Sequence, residues 1–300
     1  MNLPTLRQLQ YLIAVIELKH FGHAAERCFV TQSTLSAGIQ DLENLLGITL
    51  LERTNRKVLP TDIGIEIAQK AQAILSLTAD LVDLAQSEKN PLSGRIRIGL
   101  IPTISPFLLP QVLPEVRKQL PLLDLVLIED QSERLLDQLD AGTIDIAVLA
   151  LPFNLRGFKH KIFLQEQFYV ALPKQHPLID QASIAAEQLP IDELLLLKEG
   201  HCLRDHVLAA CNLPANSKRT SVQGTSLYTL IEMVAGGSGI TLVPEIALKS
   251  EIVSHSEISL KPLTNSTDKP MRELALIWRS SYRRHETLER LNTIFHDCLK

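Results

Sequence analysis

From Asp62 to Glu88 the sequence contains no proline and a single glycine, Gly64, near its start. Within this stretch Ile67, Ala71, Ile74, Thr78, Leu81 and Ala85 recur at spacings of four and three, and Leu75 and Val82 add a second stripe. That period predicts one long helix, either buried in a globular domain or pairing with its own copy along an apolar seam. The helix divides the chain into a short N-terminal segment and a much longer C-terminal one. Lys89-Asn90-Pro91-Leu92-Ser93-Gly94 follows it, a Pro/Ser/Gly cluster that reads as a hinge. The expected divisions are therefore residues 1–61, a linker helix over 62–90, and a third region over 91–300.

The N-terminal segment is helical in pattern. Leu6, Leu9, Leu12, Ile13 and Ile16 predict an amphipathic helix over 5–18, and a short helix over 22–29 has Ala24 and Ala25 at its centre, small enough for close helix crossing. Thr31 is placed as the N-cap of a third helix that runs to Leu46 and stops at Gly47. Leu35, Ile39, Leu42 and Leu46 form its inward stripe. Its other face carries Thr31, Gln32, Ser33, Thr34, Ser36 and Gln40, polar groups able to bond base edges and phosphates. Arg53, Arg56 and Lys57 lie in a following hairpin that reads as a wing on a nucleic-acid backbone. A small helical bundle with a solvated polar face fits the same periodicity.

Charge does not decide between these readings. Residues 1–60 carry six Lys or Arg against five Asp or Glu, and the whole chain has a net charge of −4, whereas phosphate contact needs local cations. Order does. Ala24-Ala25, Thr31-Gln32-Ser33-Thr34-Leu35-Ser36, Ile39, Leu42-Glu43, Leu46-Gly47, Leu50-Leu51-Glu52-Arg53, Arg56, Leu59 and Thr61 closely resemble the winged helix-turn-helix of LysR-type transcriptional regulators. Ser33 stands where that family often has proline, and Gln40-Asp41 where basic residues are common. The resemblance implies groove binding to double-stranded promoter DNA, contact with RNA polymerase, and a homodimer that assembles into a homotetramer.

After Gly94 the pattern alternates strand and helix. Strands are expected over 95–101, 123–129 and 144–151, with helices over 106–119 and 133–141, a βαβαβ lobe. Strands at 168–172, at 193–197 and near Val222 and Ile240, with a helix opening at Cys202, suggest a second lobe. A strand over 273–278 and a helix from about Arg284 return to the first. Composition and pattern alone say α/β. The resemblance implies a two-lobed periplasmic-binding-protein-like (type 2) effector domain, lobe I over 95–165 plus 270–300 and lobe II over 166–269.

No apolar run approaches a membrane span, and Met1 to Arg7 lacks a basic leader. The expected location is the cytoplasm, with no membrane partner, where the cysteines Cys28, Cys202, Cys211 and Cys298 would not form structural disulfides by default. Cys202 and Cys211 are nine residues apart. In one helix that separation is about 13.5 Å, against a Cα limit of ~7 Å for a disulfide. Joining them would require the helix to unwind. Cys202 follows Gly200, opens a helix and has His201 and Arg204 beside it, a setting expected to favour thiolate. Three readings remain open on the residues alone: buried packing thiols, a zinc site from His201, Cys202, His206 and Cys211, and a redox switch.

Gly99-Leu100-Ile101-Pro102-Thr103, Gly200-His201-Cys202-Leu203-Arg204-Asp205, Cys211 and the run Met233 to Leu242 resemble the hydrogen-peroxide-sensing OxyR branch of the LysR family. By that likeness Cys202 is the peroxidatic thiol and Cys211 the resolving one. Thr103, His201 and Arg272 orient peroxide, and Ser132 stands where the branch typically has threonine. Glutaredoxin or thioredoxin would be the reductant. No cofactor or metal is implied, and such oxidation is stoichiometric signalling, so the chain reads as a regulator, not an enzyme. A LysR regulator binding a small metabolite between the lobes, a thiol peroxidase and a zinc sensor are the alternatives. Cys28 and Cys298 read as bystanders.

Overall fold

A computed structural model describes residues 3–53, 58–87, 91–211, 213–214, 223–265 and 271–300. The chain divides into two compact units, Met1–Lys89 with Asp140–Thr143, and Asn90–Leu139 with Ile144–Lys300.

In the first unit, α1 (Leu6–Leu18) starts at Thr5, whose hydroxyl accepts from the Gln8 amide while the Gln8 side chain accepts from the Thr5 amide, a reciprocal cap. α2 (Phe21–Arg27) is shorter than its pattern suggested. α3 (Gln32–Leu46) is capped by Thr31 and ended by Gly47 at φ 70°, as the sequence predicts. Leu12, Val15, Ala24, Leu35, Ile39 and Leu42 form the core. Leu46, expected in the inward stripe, is exposed because the helix ends there, beyond the reach of the core.

A hairpin of β1 (Leu51–Arg53) and β2 (Val58–Pro60) follows, with Glu52 opposite Leu59. Buried Glu43 on α3 holds its entry: one carboxylate oxygen accepts from the Leu50 amide at 2.7 Å and the Leu51 amide at 3.1 Å. Thr61 then caps α4 (Asp62–Ser87), accepting from the Gly64 amide at 3.0 Å. Ala71 is buried and Ile67 packs on the N-terminal core, whereas Ile74, Leu77, Leu81 and Val82 are exposed. The apolar row predicted for the whole helix is thus split. Its first half serves its own domain, and the described part of its second half is left outward.

Gly64 sits where a Cβ would lie 2.2 Å from the Leu50 carbonyl oxygen. Alanine improves helix propensity by about 1 kcal/mol, but overpacking against backbone costs up to about 3 kcal/mol. Gly64→Ala is therefore expected to lose about 2 kcal/mol, read as a lower melting temperature; an unchanged melt would contradict the packing described.

The second unit is built on one sheet in the order β4-β3-β5-β12-β6-β11-β7. β3 (Gly94–Leu100), α5 (Ser105–Gln119), β4 (Leu123–Glu129), α6 (Ser132–Asp140) and β5 (Ile146–Leu151) form the expected βαβαβ, with β3 parallel to both neighbours. β6 is far longer than the predicted 168–172, running Lys159–Pro173. Its first half pairs with β12 (Met271–Trp278), and its second with β10 (Thr241–Pro244) and β11 (Ile258–Thr264). The polar stretch Lys159 to Gln167 hid it, because only Phe163 and Glu166 of that half are buried. The strand expected at 193–197 is only β8 (Leu196–Leu197), paired with β9 (Gln223–Gly224) after a 3-10 turn; Val222 lies outside the described residues. β7 (Ile184–Ala185), α8 (Leu227–Ala235) and α9 (Glu251–His255) had not been predicted. α7 (Cys202–Ala210) and α10 (His285–Leu299) had.

Candidate functional site

The candidate residues fall into two sites, one in each compact unit. On α3, Thr31, Gln32, Ser33, Thr34 and Gln40 are exposed and Ser36 is half-buried. Thr31 is also structural: its hydroxyl lies 2.9 Å from Ser33 Oγ and 2.8 Å from Thr34 Oγ1, and it accepts from the Thr34 amide at 3.2 Å. The hydroxyls at the start of the helix are thus pre-ordered on an outward face. Arg53 ends the first wing strand. Arg56 and Lys57 lie outside the described residues.

The second site forms where α5, α6 and α7 begin. Cys202 is the first residue of α7 and is buried, as are Thr103, just before α5, and Ser132, which opens α6. Gly200 makes the approach possible. It adopts φ +93°, and a Cβ there would lie 2.8 Å from the Gln131 side chain. The turn before Cys202 is thereby pressed against the residue preceding Ser132.

Arg272 closes the site from β12. It is fully buried, opposite Glu166 on β6, and its Nε donates to the Glu166 carboxylate at 2.6 Å. Nη2 donates to the Thr103 carbonyl at 3.3 Å, and the guanidinium carbon lies 6.0 Å from the Phe168 ring centre. The other Glu166 oxygen accepts from the Ile246 amide at 2.7 Å. Among the described residues, Arg272 Nη1, Thr103 Oγ1 and Ser132 Oγ make no hydrogen bond. Buried polar groups left so are rare. Of these groups Ser132 and Arg272 act on the Cys202 thiol, and Thr103 joins them through its carbonyl bond to Arg272.

The electrostatics correct the expectation of a ready thiolate. Burial raises the Cys202 pKa and prevails, although Ser132, the Arg272 charge and the Ala150 backbone amide act in the opposite direction; Asp205 adds to the rise. Ser132 is near enough to favour a thiolate but has no ordinary hydrogen bond to the resting thiol, so its donor is held in reserve. His201, expected to supply positive charge, is shifted down by burial and stays neutral. Arg204, expected beside the thiol, turns toward β8, where its guanidinium donates to the Leu197 carbonyl at 3.4 Å and its charge acts on Asp205. The cation acting on the sulfur is Arg272.

Cys211 is the C-cap of α7, buried and free, with its pKa pushed up to about 12 by burial. Cys28 and Cys298 are half-buried free thiols. Among the described residues no group of three His, Cys, Asp or Glu side chains could hold a metal ion, which removes the support for a zinc site. No helix among them is long and apolar enough to cross a membrane.

Sequence reasoning did not identify Gln131, Glu166 or the Ala150 amide, because each acts through a long-range contact. His206 was weighed only as a metal ligand. Its spacing of four from Cys202 was the available signal.

Residues 6–65 match the family described as bacterial regulatory helix-turn-helix protein, lysR family, and residues 89–297 match the LysR substrate binding domain. The chain is 43% identical over 283 residues to the HTH-type transcriptional regulator EstR of Acinetobacter baylyi, covering 93% of this chain and 92% of that one. It is 38% identical over 274 residues to the DNA-binding transcriptional dual regulator OxyR of Escherichia coli, covering 91% and 89%. Among solved structures, a full-length OxyR cysteine variant from Pseudomonas aeruginosa superimposes with a TM-score of 0.79 at 36% identity, covering 98% of each chain. A cysteine-to-serine OxyR variant from Corynebacterium glutamicum with hydrogen peroxide bound gives a TM-score of 0.64 at 33% identity, covering 99% and 93%.

Proposed function

The chain belongs to the LysR family of DNA-binding transcriptional regulators, which is not an enzyme family, and from that premise we propose that it senses hydrogen peroxide through a reversible Cys202–Cys211 disulfide and activates oxidative-stress genes. The observation that carries this reading is the buried Cys202 thiol within reach of Ser132 and Arg272, whose Oγ and Nη1 have no hydrogen-bond partner among the described residues, with Thr103, its Oγ1 likewise unpartnered, held on Arg272 through its carbonyl. Peroxide is small, has two hydroxyl donors and two acceptor oxygens, and suits such a set.

The chemistry runs in two steps. The sulfur attacks one peroxide oxygen, the O–O bond breaks, and Cys202 becomes a sulfenic acid while water leaves. Cys211 then condenses with it, releasing a second water. In the resting fold burial pushes the Cys211 thiol up to about 12, away from thiolate, the attacking form. The nine-residue helix α7 also holds the two Cα atoms about 13.5 Å apart. Sulfenic acid formation therefore has to be followed by unwinding of α7 before the bond can close. That coupling of oxidation to a refolding segment is the signal.

In this reading α3 reads promoter DNA in the cytoplasm and the outward Ile74, Leu77, Leu81 and Val82 of α4 pair with a second copy. Dimers assemble to a tetramer, RNA polymerase is the downstream partner, and glutaredoxin or thioredoxin resets the thiols. Relatives named hydrogen peroxide-inducible genes activator support it, at 39% identity over 277 residues for that of Dickeya chrysanthemi. A second reading rests on the 43% identity to EstR and on the raised Cys202 pKa: a regulator that binds a small metabolite between the lobes, with unreactive cysteines.

Mass spectrometry after stoichiometric peroxide separates the two. A Cys202–Cys211 peptide is expected from the native chain, and a trapped sulfenic acid at Cys202 from Cys211→Ser. An unmodified Cys202 in both leaves the metabolite reading.

A further inference from the structure

His206 lies one turn after Cys202 on α7, an i, i+4 pair on the same helix face. Its side chain is buried, and its Nε2 stands 3.0 Å from the Pro152 carbonyl oxygen. A carbonyl only accepts, so Nε2 carries the proton and Nδ1 of the neutral ring holds a lone pair. Nδ1 is buried and has no hydrogen-bond partner among the described residues. Arg272 from β12 acts electrostatically on both Cys202 and His206. Pro152, Phe168, Asn265 and Met271 line a cavity of about 210 Å³ beside His206, and none of them titrates. Among the described residues the charged group acting on His206 is Arg272, itself paired with Glu166.

We infer that His206 is the proton acceptor for Cys202: its Nδ1 takes the thiol proton as peroxide is attacked and returns it to the departing oxygen. This rests on the peroxide reading above. The step balances. The S–H bond breaks and an Nδ1–H bond forms; the sulfur lone pair forms an S–O bond as O–O breaks. Sulfur is oxidised by two electrons and peroxide is reduced. The hydroxide takes the proton from Nδ1 and leaves as water, returning the ring to neutral. The Pro152 carbonyl fixes the tautomer and supports the transient imidazolium, while Arg272 favours the thiolate.

Burial lowers the His206 pKa to about 4 despite the Pro152 bond, with Arg272 lowering it further, so the ring is free to accept at neutral pH. A buried thiol with its own base reacts at a rate nearly independent of pH between the two pKa values. A thiol without one depends on hydroxide, gaining about tenfold per pH unit.

The test is the rate of Cys202 oxidation by hydrogen peroxide in the full chain, followed by sulfenic acid trapping from pH 5.5 to 8. The native chain is expected to show a nearly flat profile. His206→Gln, whose amide still donates to Pro152 but takes no proton, should react about 100-fold more slowly at pH 7 and climb about tenfold per unit. An equal rate and the same flat profile in His206→Gln would overturn the assignment. Should that variant not fold, the native profile decides alone, since a native rate rising about tenfold per pH unit from 6 to 8 is incompatible with an internal base. A native chain whose Cys202 is not oxidised at any pH instead overturns the peroxide reading, and this step with it.

Discussion

A Cys202→Ser chain will give one promoter footprint whether or not peroxide is added. Serine is close in size, and the Ala150 amide and Ser132 beside the position offer its hydroxyl hydrogen bonds, so the fold should survive with a loss within about 1–3 kcal/mol. Affinity for DNA in the reduced state should be unaltered. What disappears is the response. Coupling between two sites typically amounts to 5–150-fold in affinity, about 1–3 kcal/mol. The native chain should show a change of promoter Kd in that range on oxidation, and Cys202→Ser none. A variant that still shifts its footprint with peroxide would move the sensor to another residue.

Arg272→Met should have the largest effect on stability. Arg272 and Glu166 are 0% and 1% exposed at the side chain and joined at 2.6 Å. Removing the guanidinium leaves a carboxylate buried without its ion partner, and breaking such a pair costs about 3–5 kcal/mol. The pair also ties Thr103 to the Ile246 amide through the two side chains, so the loss should be felt both at the start of α5 and in the turn after β10. Replacing both, Arg272→Met with Glu166→Leu, is expected to recover most of the stability, since an apolar pair of similar volume is often neutral; the Ile246 amide left unsatisfied returns about 1–3 kcal/mol of the penalty. Chemical denaturation reads both effects. The double variant should fold and yet oxidise slowly, because the cation that favours the thiolate is gone. Wild-type stability in Arg272→Met would show that the pair does not hold these segments together.

The parts of the molecule that the sequence disclosed are those specified locally. Thr31 and Gly47 mark the ends of α3 because cap chemistry acts within a few residues. The alternation from β3 to β5 announces a doubly wound lobe because each element carries its own period. The helix that opens at Cys202 was legible in the same way. What stayed hidden depends on chain segments meeting at long range. Glu166 sits opposite Arg272 only because β6 runs across both halves of the sheet, and its first nine residues look polar. Gly200 matters because Gln131 fills the space a side chain would take. The thiolate expectation failed for the same cause: His201 and Arg204 are neighbours in sequence, but burial and a remote arginine set the state of Cys202.

Hydrogen exchange across residues 202–211, before and after one equivalent of peroxide, addresses the coupling of oxidation to unwinding most directly. In the reduced chain the amides of α7 should be protected, the Cys211 amide included through its bond to the Val207 carbonyl at 3.0 Å. After oxidation these amides should exchange rapidly together with the appearance of the Cys202–Cys211 peptide, and thioredoxin with its reductase should restore protection. A disulfide formed while α7 keeps its protection, or protection lost with both thiols still free, would contradict the account.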